Sequence, residues 1–238
     1  MENKYHFVQP EEIELRLLSN EKQENAINGS FTKYSFSYVP ILKQLEQLLN
    51  IKDVYHELLT KDLPLSEQGS YSTYRDGSKF KGCRFLLTHP RASLILLYFD
   101  EVQLCNPLGS KTQHKLVFCY ITLLNFPARF CSSLKAVWLV EIYYAKINVA
   151  FNMDLILKPI VDDLKKLDDG CVFSIFGETK TIYGTLTAVI EDNLASHEIG
   201  GFKNAFGHGF LKCRTCIASA EEIQVALCEE SCQLRTID

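Results

Sequence analysis

Apolar residues in the first 75 positions recur at helical spacing. In residues 38–50, YVPILKQLEQLLN, they fall on one face of a helix, and Pro40 suits the position just before a helix start. The same spacing predicts a second short helix over residues 54–59 and another over residues 11–18. We therefore predict a small helical region at residues 1–75. The Ser-, Gly- and Tyr-rich stretch at 66–82 predicts a linker beside it.

Beyond this linker the pattern changes to that of a mixed α/β domain. Apolar, β-branched and aromatic runs predict strands at residues 93–100, 114–126 and 135–144. A helix is predicted next, ending at Gly170, and Pro159 predicts that its regular part begins near Lys158. Residues 171–176 and 181–192 predict two further strands, and a helix is expected from Asn193.

This order of elements has consequences for topology. Three successive strands, a helix and a later strand form the opening of the ribonuclease-H-like topology, in which the first strand and the strand after the helix are neighbours. We predict an α/β fold with an incomplete ribonuclease-H-like mixed sheet at residues 76–200. A zinc-knuckle-like segment follows at residues 201–238.

Two acids stand at the ends of the strands that this topology makes neighbours. Asp100 ends the first strand and Asp192 ends the last. Paired carboxylates of this kind hold two hard cations about 3.5–4 Å apart in enzymes that cleave phosphodiesters. The alternative interpretation is structural: Asp192 is a good helix N-cap, and Asp100 merely ends a strand.

Cysteines change character along the chain. Nine are present; the first five stand singly among apolar residues, whereas the last four are clustered: Cys213, Cys216, Cys228 and Cys232. A CxxC pair grips one face of a tetrahedral zinc ion, and Cys228 and Cys232 or a histidine, His208 or His197, can complete the site. Reduced thiols without metal, or a redox CxxC, are the alternatives.

Composition limits the choice of function. The net charge is −4 and the pI is about 5.9, which weighs against a dedicated nucleic-acid-binding module because such modules usually carry a basic surplus. The opening residues are charged and lack an apolar core, and no apolar run is long enough for a membrane span. We expect a nuclear or cytoplasmic protein that is neither secreted nor embedded in a membrane.

Three stretches together resemble a known family. They are LILLYFDEVQLCNPLGSKTQHKL (94–116), ILKPIVDDLKKLDDG (156–170) and IEDNLASHEIGGFKNAFGHGFLKCRTC (190–216). They are similar to DDE-type DNA transposases, in particular the CACTA group and related proteins encoded by animal transposons. The resemblance implies metal-dependent cleavage and transfer of DNA strands at transposon ends, with homodimerisation as a further possibility.

Carried over position by position, the resemblance assigns the site. Asp100 and Asp192 match the first two acids, which hold Mg²⁺ or Mn²⁺, with Glu101 as an alternative ligand. Cys213 and Cys216 match a zinc knuckle. The third acid of the family is expected well beyond the CxxC motif, and the sequence given ends at Asp238. We therefore expect weak or absent cleavage.

Two other interpretations remain open at this point. The chain is alternatively a non-catalytic, zinc-stabilised module that contacts DNA or protein, which its acidic charge favours. It is otherwise a decayed fragment without a stable function, whose exposed strand edges would make it poorly soluble.

Overall fold

The computed structural model describes residues 7–18, 31–60, 69–103, 115–127, 133–202, 213, 215–226 and 231–235. The chain divides into two compact units, Met1–Ile190 and Glu191–Asp238, and each is described here by itself. Within the described residues the first unit is a mixed α/β structure and the second contains short helices and an isolated β-bridge.

The strands are β1 (Glu11–Leu18), β2 (Phe31–Tyr38), β3 (Ser93–Gln103), β4 (Lys115–Leu123), β5 (Trp138–Tyr144), β6 (Cys171–Ile175), β7 (Glu178–Ile182) and β8 (Gly184–Ile190). The α-helices are α1 (Ile41–Leu49), α2 (Lys52–Tyr55), α3 (Ser78–Gly82), α4 (Arg84–Thr88), α5 (Lys146–Ala150), α6 (Met153–Asp169), α7 (Asn193–Ile199) and α8 (Ala220–Val225). A π-helical turn, His56–Thr60, continues α2, and 3₁₀ turns lie at Tyr74–Asp76 and Leu134–Ala136.

Six of the described strands form one mixed sheet in the order β1-β2-β5-β4-β3-β8. All neighbours are antiparallel except β3 and β8, which are parallel, with Tyr98 opposite Ile190. The predicted adjacency of the first strand, β3, and the strand that leads to Asp192, β8, is confirmed. β6, which directly follows α6, lies instead in a two-stranded sheet with β7. β3 does not end at Asp100 as predicted, because its pairing with β4 continues to Gln103 opposite Lys115.

The prediction of a helix over residues 11–18 is wrong. The segment is strand β1, paired along its whole length with β2. Ile13 and Leu15 alternate with exposed Glu12, Glu14 and Arg16, which is the period-two pattern of a half-buried strand. The N-terminal region is therefore not purely helical, although the predicted helix at residues 41–49 is confirmed.

The described part of the predicted linker also has regular structure. Residues 74–76 form a 3₁₀ turn, and α3 and α4 follow it directly. Tyr74 and Phe80 pack against a cluster formed by Leu86, Ala92 and Leu94. Aromatic side chains scattered among Ser and Gly thus attach this stretch to the start of β3.

Helix α6 begins at Met153, five residues before the predicted start. Ile156 and Ile160, on either side of Pro159, are fully buried, and Leu164 and Leu167 extend the same buried stripe. Burying each large aliphatic side chain stabilises the fold by about 2 kcal/mol. This gain offsets the loss of the backbone hydrogen bond that proline cannot donate.

The apolar run at 181–192 is two strands rather than one. β7 ends at Ile182 in a hairpin with β6, and β8 begins at Gly184 in the large sheet. A Cβ atom on Gly184 would lie 2.6 Å from Leu167 Cδ2 and 2.9 Å from the Ser93 carbonyl oxygen. Only glycine allows β8 to begin this close to α6 and β3.

Helix α1 covers the edge of the β6–β7 hairpin with side chains. Asn50 donates from Nδ2 to the Ser174 carbonyl (2.8 Å) and accepts at Oδ1 from the Phe176 N–H (2.9 Å). Glu46 accepts from the Ser174 N–H (2.7 Å). Two polar residues one helical turn apart therefore satisfy backbone groups that a neighbouring strand would otherwise pair.

Candidate functional site

Asp100 lies on a partly open face of the large sheet. It is exposed, and its cross-strand neighbour on β4 is Phe118. Tyr120, two residues along β4, shares this face, and burial together with the Asp100 charge raises the pKa of its phenol. Asp100 is thus a carboxylate held on rigid strand backbone among aromatic rings.

Glu101, the alternative ligand, points the other way. Successive side chains of a strand alternate between faces, so Glu101 lies on the side opposite to Asp100. Its carboxylate forms an ion pair with Lys115. The two acids are therefore not brought together, and Asp100 is the better candidate of the pair.

Asp192 follows β8 and precedes α7. Its Oδ1 atom accepts a hydrogen bond from the Ala195 N–H (2.8 Å), and its carbonyl accepts one from the Ser196 N–H (3.0 Å). This is the geometry of a helix N-cap, the structural alternative that the sequence had left open. The side chain is nevertheless exposed rather than buried as a turn anchor.

The strand pairing bears on whether the two acids can act together. β3 and β8 are parallel neighbours, and their paired register ends at Tyr98 and Ile190, two positions before Asp100 and Asp192 respectively. Asp100 belongs to the first compact unit and Asp192 to the second. The separation of their carboxyl groups stays a prediction.

The second unit holds three described cysteines. A β-bridge joins Cys216 to Leu234, and the Thr215 carbonyl accepts from the Arg235 N–H (2.9 Å), so residues 215–217 run alongside residues 233–235. Cys232 immediately precedes this second segment. The CxxC pair and Cys232 therefore share one small antiparallel pairing.

Hydrogen bonds set the character of these thiols. The Cys213 sulfur lies 3.0 Å from the Thr215 hydroxyl and accepts from the Thr215 N–H, and these contacts lower the pKa of Cys213 to about 7. The Ala218 N–H lowers the pKa of Cys216, but Cys213, burial and Cys232 raise it by more. Both other thiols therefore contribute to the raised pKa of Cys216.

Several predicted residues have other roles or lie elsewhere. Cys228 and His208 fall outside the described residues. His197 is buried in α7 and packs edge-on against Phe202, at 5.7 Å between ring centroids. Within the described part of the chain, no group of three or more His, Cys, Asp or Glu side chains is placed to hold a metal ion.

Glu141, which was not among the predicted site residues, is the most unusual acid of the described sheet. Glu141 is fully buried on β5, and neither carboxylate oxygen has a hydrogen-bond partner within the described structure. A bulge in the β4–β5 pairing places it opposite Cys119 on β4 and Tyr38 on β2. The available signal was one acid inside the apolar run 137–144.

Tyr38 connects this region to α6. Its hydroxyl donates to Asp163 Oδ2 (2.9 Å), and Asp163 also pairs with Lys166 Nζ (3.1 Å). Burial and the Asp163 charge raise the pKa of Tyr38 above its ordinary value, and burial raises the pKa of Glu141 to about 9. Glu141 is therefore a protonated carboxyl group at neutral pH.

Comparison with known proteins adds no family to this description. None of the helices that the structure describes is long and apolar enough to cross a membrane. No protein-family model matches the chain, and no curated protein matches it.

Proposed function

We propose that the chain carries the first part of a ribonuclease-H-like catalytic core of the DDE transposase kind. The observation that supports this best is the strand order β5-β4-β3-β8, with three antiparallel strands and β8 parallel to β3. This is the arrangement expected from the order of elements in the sequence. β3 and β8 are paired as far as Tyr98 and Ile190, which lie two positions before Asp100 and Asp192 in their respective segments.

In this proposal Asp100 and Asp192 hold Mg²⁺ or Mn²⁺. Carboxylate oxygens are the ligands that these hard cations prefer, and Asp100 is exposed on rigid backbone, so the chemistry of both side chains fits. The bound cation supplies Lewis-acid activation for phosphodiester cleavage. Asp192 would hold the α7 N-terminus through one oxygen and bind the cation through the other.

We expect weak or absent strand cleavage by this polypeptide. Two carboxylates alone hold a metal pair incompletely, so the proposed core binds metal and nucleic acid better than it cuts.

The experiment that tests the proposal maps the cation instead of relying on activity. Fe²⁺ is bound in place of Mg²⁺, and ascorbate with peroxide then generates radicals that cut the polypeptide near the ion. Cuts near residue 100 and near residue 192 are expected, both suppressed by excess Mg²⁺ and by either Asp100→Asn or Asp192→Asn. Asp162→Asn, an exposed acid paired with Lys158 on α6, is the matched control. Cuts at one location alone would overturn the shared site.

A second candidate function is a zinc-stabilised binding module, favoured by the CxxC pair of the second unit. Cys213 and Cys216 offer two thiolate ligands suited to tetrahedral zinc, and the remaining ligands are proposed from Cys232, Cys228 and His208. Metal analysis of the purified protein is expected to find one zinc per chain. Cys213→Ser and Cys232→Ser should each lose it, whereas Cys171→Ser on β6 should retain it. Absence of zinc from the wild-type protein would contradict this candidate.

A further inference from the structure

The face of the sheet that carries Asp100 also carries a row of aromatic rings. Tyr98 is opposite Tyr120, Asp100 is opposite Phe118, and residues directly opposite on antiparallel strands share a face. On β5, Tyr144 is opposite Leu116, which places its ring on this same face. We call Tyr98, Phe118, Tyr120 and Tyr144 the aromatic row.

The two faces of the sheet differ sharply at this point. On the opposite face, Phe99, Cys119 and Tyr143 are at most 6% exposed. In the aromatic row, Tyr98, Phe118 and Tyr120 are only partly buried, and Tyr144 is 44% exposed. The row is thus not part of the closed core.

The geometry of the rings is that of a stacking surface. The rings of Phe118 and Tyr120 are almost parallel, with 5° between the ring planes and 6.0 Å between centroids. The Lys146 ammonium lies 5.1 Å from the centroid of the Tyr144 ring. The parallel rings lie on β4 and the cation lies at the Tyr144 ring on the neighbouring strand β5. Together they offer the two contacts that proteins use to bind unpaired nucleic-acid strands, which are base stacking and phosphate neutralisation.

We propose that the aromatic row binds the bases of an unpaired nucleic-acid strand and positions its backbone beside Asp100. This deepens the proposed function and rests on it for the nature of the substrate. A purely apolar partner fits poorly, because the Asp100 carboxylate would be desolvated in the middle of the contact. A duplex is also disfavoured, since its bases already stack on one another.

Binding is tested by the fluorescence anisotropy of short fluorescein-labelled oligothymidylate, oligouridylate and duplex DNA. Both single strands are expected to bind more tightly than the duplex, and a difference between them would identify DNA or RNA as the ligand. Measurements with Ca²⁺, and with chelator, report whether a divalent cation at Asp100 contributes. If the duplex binds as tightly as the single strands, the proposal fails.

Variants assign the binding to the rings. Phe118→Leu and Tyr120→Leu are each expected to weaken single-strand binding by about 5- to 150-fold, as for loss of one stacked base. Tyr120→Phe keeps the ring and should bind like the wild type, and Tyr71→Leu, an exposed tyrosine outside the row, should change nothing. Folded leucine variants that bind with unchanged affinity would overturn the assignment.

A second measurement needs no variant and covers the case in which the leucine variants do not fold. Strands containing 5-iodouracil crosslink on illumination to aromatic side chains on which the base stacks. Crosslinks are expected in the peptide that contains residues 115–123; crosslinks confined to other peptides would refute the proposal. The two proposals fail separately, because strand binding is measured in chelator and iron-directed cutting is measured without nucleic acid. Absence of iron-directed cutting with strand binding retained in chelator would overturn the metal site alone, and unchanged binding by the folded leucine variants would overturn the aromatic row alone.

Discussion

The buried carboxyl group of Glu141 makes the stability of the fold depend on pH in an unusual direction. Burial raises its pKa from 4.5 to about 9. Between these values the folded state binds one proton more than the unfolded state, so the free energy of unfolding falls as pH rises. The stabilising effect of protonation is complete below pH 4.5 and is lost as pH rises to about 9.

The size of the effect follows from linkage. Each pH unit in this window lowers the free energy of unfolding by up to about 1.4 kcal/mol. Through Glu141 alone, the free energy of unfolding at pH 7 should therefore be roughly 3 kcal/mol lower than at pH 4.5. Glu141→Gln keeps the size of the side chain but cannot ionise. Its stability relative to the wild type should therefore increase steadily from pH 5 to pH 9.

Urea unfolding followed by far-ultraviolet circular dichroism measures this difference at a series of pH values. Because other titrating groups are common to both proteins, they cancel in the comparison. Glu178→Gln, which alters an exposed acid on β7, should show no such trend. Wild-type and Glu141→Gln stability curves that run parallel across this range would refute the reasoning, whatever their absolute offset.

Three further predictions concern packing and backbone contacts. Ile156→Ala should lower the free energy of unfolding by about 2–5 kcal/mol, because the side chain is fully buried in α6, whereas Val161→Ala on the exposed side of that helix should cost under about 1 kcal/mol in the same urea titration. Gly184→Ala should destabilise the fold measurably in thermal unfolding, because its Cβ would lie 2.9 Å from the Ser93 carbonyl oxygen; an unchanged midpoint would show that β8 moves freely. Asn50→Ala should cost about 1–3 kcal/mol and speed hydrogen exchange at the Phe176 amide, and equal exchange rates in the two proteins would argue against the edge contact.

Local patterns predicted the elements whose residues bury one face by themselves. The apolar face of residues 41–49 predicted α1, and the apolar run at 93–100 predicted β3. The adjacency of β3 and β8 also followed from the order of elements. The sequence predicted less well where burial by distant residues decides the structure, as at Pro159, which α6 accommodates because Ile156 and Ile160 are buried on either side of it.

The remaining differences concern pairing between distant segments. β1 contains a period-two pattern, but its eight-residue length also suits a short helix, and its partner β2 decides the outcome. The bulge that places Glu141 inside the sheet depends on the register of β4 against β5, which no local pattern encodes. Of the candidate site, the sequence located Asp100 on its strand and foresaw that Asp192 suits an N-cap. The aromatic row required the cross-strand register.

The contact between α1 and the β6–β7 hairpin also constrains the order of folding. Glu46 and Asn50 are separated from the backbone groups they bind by 124 to 128 residues of chain. A two-stranded hairpin is only marginally stable in isolation. We therefore expect the hairpin to become stable only after α1 has docked against it. Formation of the hairpin at residues 171–182 would then be a late step in folding.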